Sequence, residues 1–410
     1  MSDNDTNTTE APTRRDYIKY GGAVVGGGLL AGCTDRSESE STPTETANAT
    51  ENSSDTGAES DGDDGSYTVE LSPVGEVAFD GVPETAASLL HIWADTLASF
   101  GQGERVIAVR PGYITSHYER LPGVEVDTAG IDESVFTDDK ERFYELDPDV
   151  FHVDPFPLTE WGEWNEDDIT EITDSVAPFF ANGGSRTWSE SQYPVDDGYE
   201  FYTLEELTQK FAQVYKAEEQ AAELVAVREE LVSEIQSNLP PESDRPSVGH
   251  ILYYNDEIYP YLTNQSGFGK AHLTPLGAED AFADLDKVYS KNGGTLDLEG
   301  LLERDPDVLI KFMGVSAWFD AYEEAVETFE NDPVGQELTA IQNDRFYRGG
   351  SYDQGIPLNL FQLEMSAKQL YPDQFGEWPG FDEEGVLPAI PEDERLFDRQ
   401  RVADIINGNI

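Results

Sequence analysis

Two segments of the chain repeat one another. Residues 139–151 (DKERFYELDPDVF) and 297–309 (DLEGLLERDPDVL) share an Asp, two Glu and Asp-Pro-Asp-Val in identical register, 158 positions apart. Each copy predicts a short helix, a turn at Asp-Pro-Asp and then a strand. Coincidence in an acidic chain is the alternative interpretation. The repeat favours two lobes that are built on the same plan.

A long helical segment lies between the two copies. Thr203 and Glu206 form a capping-box pattern, and neither glycine nor proline occurs from there to Asn238. Apolar residues recur at three- and four-residue spacing, and Pro240-Pro241 ends the pattern. About 34 residues would make a helix roughly 50 Å long. We interpret it as a rigid strut between two lobes; a long surface or coiled-coil helix is the alternative.

On both sides of that helix, short apolar runs alternate with helical segments, which is typical of α/β units. The predicted strands are 74–79, 106–109, 150–153, 176–180, 248–254, 288–289, 308–312 and 345–347, and the predicted helices are 89–100, 317–329 and 358–370. We therefore predict an α/β fold of two Rossmann-like lobes, joined by one long rigid helix, with a ligand cleft between the lobes.

The chain is strongly acidic. It has 84 Asp and Glu against 25 Lys and Arg, a formal net charge of −59. This balance argues against nucleic-acid binding, which needs a basic surface. Self-repulsion of this size is screened at molar salt, where the Debye length is about 3 Å. The composition is similar to that of proteins from extremely halophilic archaea.

The N-terminus has the features of an export signal. Arg14 and Arg15 precede a short apolar run at 21–32, and Cys33, the only cysteine, follows. This order resembles a twin-arginine lipoprotein signal, which would be cleaved before Cys33 so that the cysteine is lipidated and tethers the protein outside the membrane. A chance arginine pair is the alternative. A lone cysteine also excludes an intramolecular disulfide.

The composition divides the chain into five predicted segments. These are a signal at 1–32, a disordered acidic Ser/Thr-rich tether at 33–66, an N-terminal lobe at 67–202, a linker helix at 203–239, and a C-terminal lobe with a C-terminal extension at 240–410. The tether contains almost no apolar residue, so it cannot bury enough surface to fold. Its two Asn-x-Ser/Thr sites are weak glycosylation signals.

The repeated helix–DPDV–strand unit, the single linker helix and the lipoprotein signal together resemble one family. The chain is similar to the substrate-binding lipoproteins of ABC importers of the ferric-siderophore and cobalamin type. The segment FDGVPETAASLLHIWADTLASFGQGERVIAV resembles the family's opening, and LYPDQF at 370–375 resembles the end of its last helix. The resemblance covers roughly residues 70–375. It implies a non-enzymatic, cofactor-free protein that carries a chelate to a permease dimer.

The resemblance also implies a docking pair. The family places a glutamate on each lobe seven residues before the proline of its Pro-Asp motif, and here these are Glu141 and Glu299. In relatives they pair with arginines of the two permease subunits. Two carboxylates on similar lobes match a two-fold partner. The alternative is that both are ordinary solvated acids.

Ligands of open α/β lobes bind beyond the carboxyl ends of the strands. Residues that follow the predicted strands and could line such a cleft are Arg110, Tyr113, Trp161, Arg186, Trp188, Tyr254, Trp318, Arg348 and Tyr352. Aromatic faces and arginine forks suit a large anionic chelate. Core packing for the tryptophans and surface ion pairs for the arginines are the alternatives. We expect a ferric siderophore in preference to cobalamin or haem.

Three other functions compete with this interpretation. Direct binding of a divalent metal ion would use His91, His117, His152, His250 or His272 with carboxylates. An enzyme is disfavoured, because the chain lacks G-x-S-x-G, P-loop and HExxH motifs. A structural surface protein would have many regularly spaced strands, which the long helix contradicts.

Overall fold

A computed structural model describes residues 65–133, 140–188, 192–285, 294–312, 322–381 and 387–410. Arg14, Arg15, Cys33, nearly all of the predicted tether and Trp318 lie outside these residues. So does the predicted strand at 288–289. Within the described ranges, no helix combines the length and hydrophobicity needed to cross a bilayer.

In the residues that the structure describes, ten strands form three sheets. They are β1 (Tyr67–Leu71), β2 (Gly75–Phe79), β3 (Ala86–Ser88), β4 (Val106–Val109), β5 (Val150–His152), β6 (Ser247–Tyr254), β7 (Glu257–Tyr261), β8 (Glu279–Asp280), β9 (Val308–Lys311) and β10 (Phe346–Arg348). The hairpin β1–β2 is antiparallel. The N-terminal lobe has a parallel sheet in the order β4-β3-β5, and the C-terminal lobe has the order β10-β9-β6-β7 with β8 beside β6.

Helices cover these sheets and connect the lobes. They are α1 (His91–Ser99), α2 (Lys140–Leu146), α3 (Pro155–Glu160), α4 (Glu166–Ser175), α5 (Leu204–Tyr215), α6 (Glu218–Asn238), α7 (Leu298–Leu302), α8 (Tyr322–Asn331), α9 (Thr339–Gln342), α10 (Ile356–Leu370), α11 (Pro372–Phe375) and α12 (Arg399–Ile406). One buried cluster contains apolar residues of α1, α5, α6, α10 and α12, so it links the two lobes. Separate clusters lie within each lobe. The predicted two-lobed α/β fold is confirmed.

The repeat has the same structure in both lobes. Helices α2 and α7 lead into Asp147 and Asp305, which both have positive φ, 42° and 40°. Strands β5 and β9 then follow in parallel beside β3 and β6. The shared Asp-Pro-Asp sequence therefore encodes the predicted turn between helix and strand in each lobe, and the structure adds that its first residue is left-handed.

The linker differs from the prediction of one continuous helix. It begins with the predicted capping box, in which Thr203 Oγ1 accepts from Glu206 N at 3.2 Å and Glu206 Oε2 accepts from Thr203 N at 2.7 Å. Helix α5 then ends at Tyr215; Lys216 follows with φ 53°, and α6 begins at Glu218. The Lys216 ammonium lies 3.6 Å from the centre of the Tyr67 ring. This cation–π contact stabilises a left-handed residue without glycine.

The predicted strand at 176–180 is also corrected. Only Phe179 forms a bridge, parallel to Phe151 of β5. Pro178 interrupts the run; its carbonyl accepts from Phe151 N, but a proline has no N–H to donate to a ladder. The segment therefore lies at the edge of the sheet without extending it. The sequence pattern also missed β1, β3, β7 and β8.

The C-terminal extension packs on the linker and on α10. Arg399 and Glu364 form an ion pair whose side chains are 2% and 1% exposed. Arg401 pairs with Glu223 and Glu230 of α6. Helix α12 thereby completes the core that joins the lobes. The arginines of the extension therefore have a role in packing.

Candidate functional site

Two arginines of the N-terminal lobe meet one carboxylate of the C-terminal lobe. Arg110 Nη2 donates to Asp353 Oδ2 at 3.0 Å, and Arg186 Nη1 donates to Asp353 Oδ1 at 3.4 Å. The Asp353 side chain is 3% exposed, whereas the arginines are 31% and 33% exposed. Both arginine side chains are therefore partly exposed at the junction of the lobes.

Each arginine is held by the end of a strand or turn. Arg110 follows β4, and its carbonyl lies 2.8 Å from Nε2 of His91 at the start of α1. Arg186 ends the 3₁₀ turn Gly184–Arg186. The Asn182 carboxamide oxygen accepts from Ser185 N at 3.0 Å and so fixes this turn. The local sequence thus points both side chains toward the facing lobe.

Close approach of the lobes at Arg186 depends on two glycines. Gly267 has φ 118°, and a Cβ there would lie 2.5 Å from the Arg186 carbonyl oxygen. A Cβ on Gly269 would lie 3.1 Å from the side chains of both Arg186 and Tyr352. Residues with a side chain would push the lobes apart here. The sequence thereby brings Arg186 against the C-terminal lobe.

The loop that carries Asp353 is anchored independently of the arginines. The Gln362 side chain of α10 accepts from Ser351 N and donates to Ser351 O. Gly355 N donates to Asp95 Oδ2 of α1 at 2.9 Å. Asp95 is itself buried and accepts from the Tyr118 hydroxyl at 2.8 Å. The junction is therefore built from buried hydrogen bonds that fix where Asp353 lies.

Trp161 and Trp188 belong to one aromatic cluster of the N-terminal lobe. Trp161 lies 5.5 Å from Tyr193, Tyr193 lies 6.2 Å from Phe201, and Phe201 stacks on Trp188 at 5.9 Å. The tryptophans are 47% and 37% exposed. Burial lowers the pKa of the Arg186 guanidinium, but the charge of Asp353 and the nearby Tyr193 hydroxyl raise it above its ordinary value. The cluster therefore extends through Tyr193 and Phe201 to two tryptophans at the surface, and Trp188 lies two residues after Arg186 in the chain.

Tyr352 belongs to a matching cluster of the C-terminal lobe. It contacts Phe312 edge-on at 4.2 Å and Tyr261 at 5.7 Å, and His250 lies 6.3 Å away. Tyr352 precedes Asp353, and its ring and the Arg186 side chain would both lie 3.1 Å from a Cβ on Gly269. Aromatic rings thus flank the arginine pair from both lobes.

Other predicted residues lie apart from this group or beside it. Tyr113 contacts His91 at 5.8 Å, and burial together with the charge of Asp95 raises its pKa well above the usual range. Tyr254 is 51% exposed at the β6–β7 turn. Arg348 pairs with Glu323 and lies over the Tyr322 ring at 5.1 Å. Trp318 lies outside the described residues.

The five histidines are all buried. Burial lowers the pKa of His152 to about 4 and that of His272 to about 3. His152 Nδ1 lies 2.9 Å from the Phe180 carbonyl and its Nε2 lies 2.6 Å from the Tyr215 hydroxyl. In the part of the chain that the structure describes, no three His, Cys, Asp or Glu residues are grouped to hold an ion.

A cavity of about 430 Å³ lies elsewhere, where the end of α1 meets α6 and α12. Glu104, Glu125 and Asp127 lie around it, together with Phe100 and Ile406. None of the predicted ligand-binding residues lines this cavity. Its acidic rim would repel an anion, so the arginine pair is the better candidate site for one.

Asp353 is the residue that sequence reasoning missed. It directly follows the predicted Tyr352, but it is one of 84 acidic residues, and nothing local distinguishes it. Its partners lie 243 and 167 positions away in the sequence. The loop after β10 could be found from the position of the strand, whereas the ion pairs depend on how the lobes pack.

Comparison with known protein families agrees with this architecture. Residues 137–352 match the sequence model of the periplasmic binding protein family, and this span is more than half of the chain. The chain belongs to the periplasmic binding protein family. Periplasmic binding proteins are solute-binding and non-enzymatic, so the predictions of a binding protein and of no enzymatic activity are confirmed.

Solved structures of other substrate-binding proteins share the fold. One from Veillonella parvula has a TM-score of 0.54 at 16% identity and covers 79% of this chain and 95% of its own. The iron uptake ABC transporter substrate-binding protein PiuA of Streptococcus pneumoniae has a TM-score of 0.53 at 17% identity, with 72% and 96% covered. At these identities the likeness shows the fold alone. A comparison with curated proteins gave no match.

Proposed function

We propose that this periplasmic binding protein captures an anionic chelate of the ferric-siderophore type between its lobes and delivers it to an ABC importer permease. The observation that carries the proposal is the convergence of Arg110 and Arg186 at the junction of the lobes. Guanidinium forks bind carboxylate and catecholate oxygens in two-point geometry. Both arginines are partly exposed, so a ligand can reach them.

The surrounding charge supports an anionic ligand. The protein as a whole carries −59, yet two arginines face a single buried carboxylate at this site. Two cations therefore converge on one buried carboxylate within a strongly acidic protein. Aromatic side chains from both lobes flank the arginines and offer flat faces for a ligand with aromatic rings. The structural neighbour from Streptococcus pneumoniae is an iron uptake protein, which agrees with an iron chelate.

The docking pair remains part of the proposal. Glu141 of α2 and Glu299 of α7 are both exposed and lie one residue inside equivalent helices of the two lobes. Equivalent placement in the repeat is what a two-fold permease dimer would require. We propose that they contact arginines of the two permease subunits, and that a lipid on Cys33, after export directed by Arg14 and Arg15, holds the protein outside the membrane.

Tryptophan fluorescence titration of the purified protein in molar KCl tests the chelate. The panel is a ferric tris-catecholate, a ferric tris-hydroxamate, haem, cobalamin, Zn²⁺ and Mn²⁺. Saturable quenching by an anionic ferric chelate is the expected result, because Trp161 and Trp188 lie in the flanking cluster. A response to cobalamin, haem or the bare ions alone would replace the proposed substrate with that ligand.

A further inference from the structure

We propose that Asp353 competes with the anionic groups of the chelate for Arg110 and Arg186, and so determines which chelates the protein accepts. This inference rests on the proposed function. The ion pairs occupy both oxygens of the carboxylate, one with each arginine. A ligand anion that binds the same guanidinium groups must share them with Asp353 or take its place.

The two guanidinium groups have more N–H donors than the Asp353 carboxylate can accept. Each guanidinium has five N–H donors in a fixed fork. Arg186 Nε is buried and has no hydrogen-bond partner among the described residues. A buried donor without a partner destabilises the site until an acceptor reaches it. An oxygen-rich anion could satisfy this donor, which a single carboxylate already shared with Arg110 does not.

Displacement of Asp353 has a cost that selects among ligands. Its side chain is 3% exposed, so without the arginines it would be a buried carboxylate with no counter-charge. A ligand with one weak negative charge gains too little from the arginines to offset that cost. A ligand with several negative charges gains more. Asp353 therefore sets a threshold that favours chelates with several negative charges over chelates with a single one.

This competition should persist in concentrated salt. Salt screens exposed charges within a few ångströms at molar concentration, but it screens buried pairs much less. The Asp353 carboxylate is covered by protein on the C-terminal side and by the two arginines on the other. Concentrated salt screens the long-range repulsion between the acidic surface and an anionic ligand. It does not remove the short-range competition between Asp353 and that ligand for the arginines.

The loop does not need the carboxylate to keep its place. Ser351 is fixed by Gln362, and Gly355 is fixed by Asp95. Asp353→Asn keeps the shape of the side chain and removes its charge. We therefore expect the variant to fold, with a circular dichroism spectrum like that of the original protein; Asp353→Ser is the second variant should the amide disturb the loop.

The experiment compares affinities of the full protein and Asp353→Asn for two probes in molar KCl. The probes are an anionic ferric tris-catecholate and a neutral ferric tris-hydroxamate. We expect the variant to bind the anionic probe about tenfold more tightly or better, because a like charge at the site costs at least the equivalent of tenfold in affinity. Affinity for the neutral probe should change by less than about twofold. The matched control is Asp284→Asn, which removes the ion-pair partner of Arg304 in the same lobe. It should leave the affinities for both probes unchanged.

The outcomes separate this inference from the proposed function. If the original protein binds the anionic probe and Asp353→Asn binds it equally or more weakly, the competition is refuted while the proposed function stands. Equal gains for both probes would also refute it, because the effect would then not depend on ligand charge. If neither protein binds any chelate, the proposed function fails and this inference fails with it.

Discussion

Asp149 and Asp307, the last residues of the two Asp-Pro-Asp turns, hold the neighbouring strand of each lobe in the same way. Asp149 Oδ2 accepts from Thr85 N at 3.0 Å, and Asp307 Oδ2 accepts from Ser247 N at 2.8 Å. In return, Thr85 Oγ1 and Ser247 Oγ each accept the backbone N–H of the aspartate at 3.0 Å. The two copies of the sequence repeat therefore form equivalent hydrogen bonds to the neighbouring strand.

Removal of one such carboxylate should destabilise its lobe. Asp307→Ala deletes the acceptor of the Ser247 backbone and hydroxyl at the start of β6. Because hydrogen bonds to charged groups contribute about 1.5–3 kcal/mol, we expect the free energy of unfolding to fall by about 2 kcal/mol. Urea unfolding in molar KCl measures this. The control, Asp393→Ala on an exposed turn, should have no measurable effect; an equal loss in both variants would contradict the role of Asp307.

Removal of Arg399 alone should destabilise the protein more than removal of both charges of the buried Arg399–Glu364 pair. Glu364 also accepts from Leu396 N at 2.8 Å, and Arg399 lies over the Phe361 ring at 4.6 Å. Arg399→Met leaves a buried carboxylate without its counter-charge, which costs about 3–5 kcal/mol. The double variant Arg399→Met/Glu364→Gln should recover at least half of that loss in thermal unfolding. A double variant as unstable as the single one would show that the charge is not the cause.

Stability should fall in mild acid because of the buried His152. Its pKa is about 4 in the folded protein and about 6.5 in the unfolded chain. Between these values the unfolded chain binds a proton that the folded protein does not. The free energy of unfolding therefore decreases as the pH falls below about 6.5, by up to about 1.4 kcal/mol per pH unit for this group.

His152→Gln tests that assignment. The variant should have a shallower decrease of unfolding free energy between pH 6.5 and 4.5, whatever its stability at neutral pH. Tyr215→Phe removes the hydroxyl beside Nε2 but keeps the imidazole, so it should lose stability at every pH and retain most of the slope. Unchanged slopes in His152→Gln would assign the acid sensitivity to other groups.

The docking proposal predicts a loss of transport without a loss of binding. Glu141→Arg/Glu299→Arg reverses the charge on both lobes at exposed positions, so the chelate site should be unaffected. Uptake of iron-labelled chelate by cells, or capture of the detergent-solubilised permease, should fall at least about tenfold. The control Glu163→Arg/Glu330→Arg reverses two other exposed charges and should transport normally. Equal uptake by both double variants would count against Glu141 and Glu299.

Local signals in the sequence account for the parts of the fold that were predicted correctly. The Asp-Pro-Asp turns, the Thr203 capping box and the apolar strands are encoded within a few residues, so periodicity and turn chemistry find them. The break at Lys216 is different, because it depends on the ring of Tyr67, which is remote in the sequence. The edge segment near Phe179 likewise depends on its partner β5.

The candidate site was predicted in part for the same reason. Arg110, Arg186 and Tyr352 follow strands or turns, where parallel α/β lobes place ligand-binding residues. Arg348 satisfies the same rule, yet it pairs with Glu323 and packs on Tyr322. Position along the chain selects loops, but only the packing of the two lobes decides which side chains of those loops meet.

The central claim, that the two arginines hold an anionic chelate between the lobes, is tested most directly by Arg110→Gln/Arg186→Gln. Isothermal titration calorimetry in molar KCl would compare this variant with the original protein, using the anionic ferric chelate that quenches its fluorescence. We expect the original protein to bind saturably and the variant to bind at least about a hundredfold more weakly, since each charge-assisted contact contributes about 1.5–3 kcal/mol. Equal affinity in a folded variant would contradict the assignment of the site.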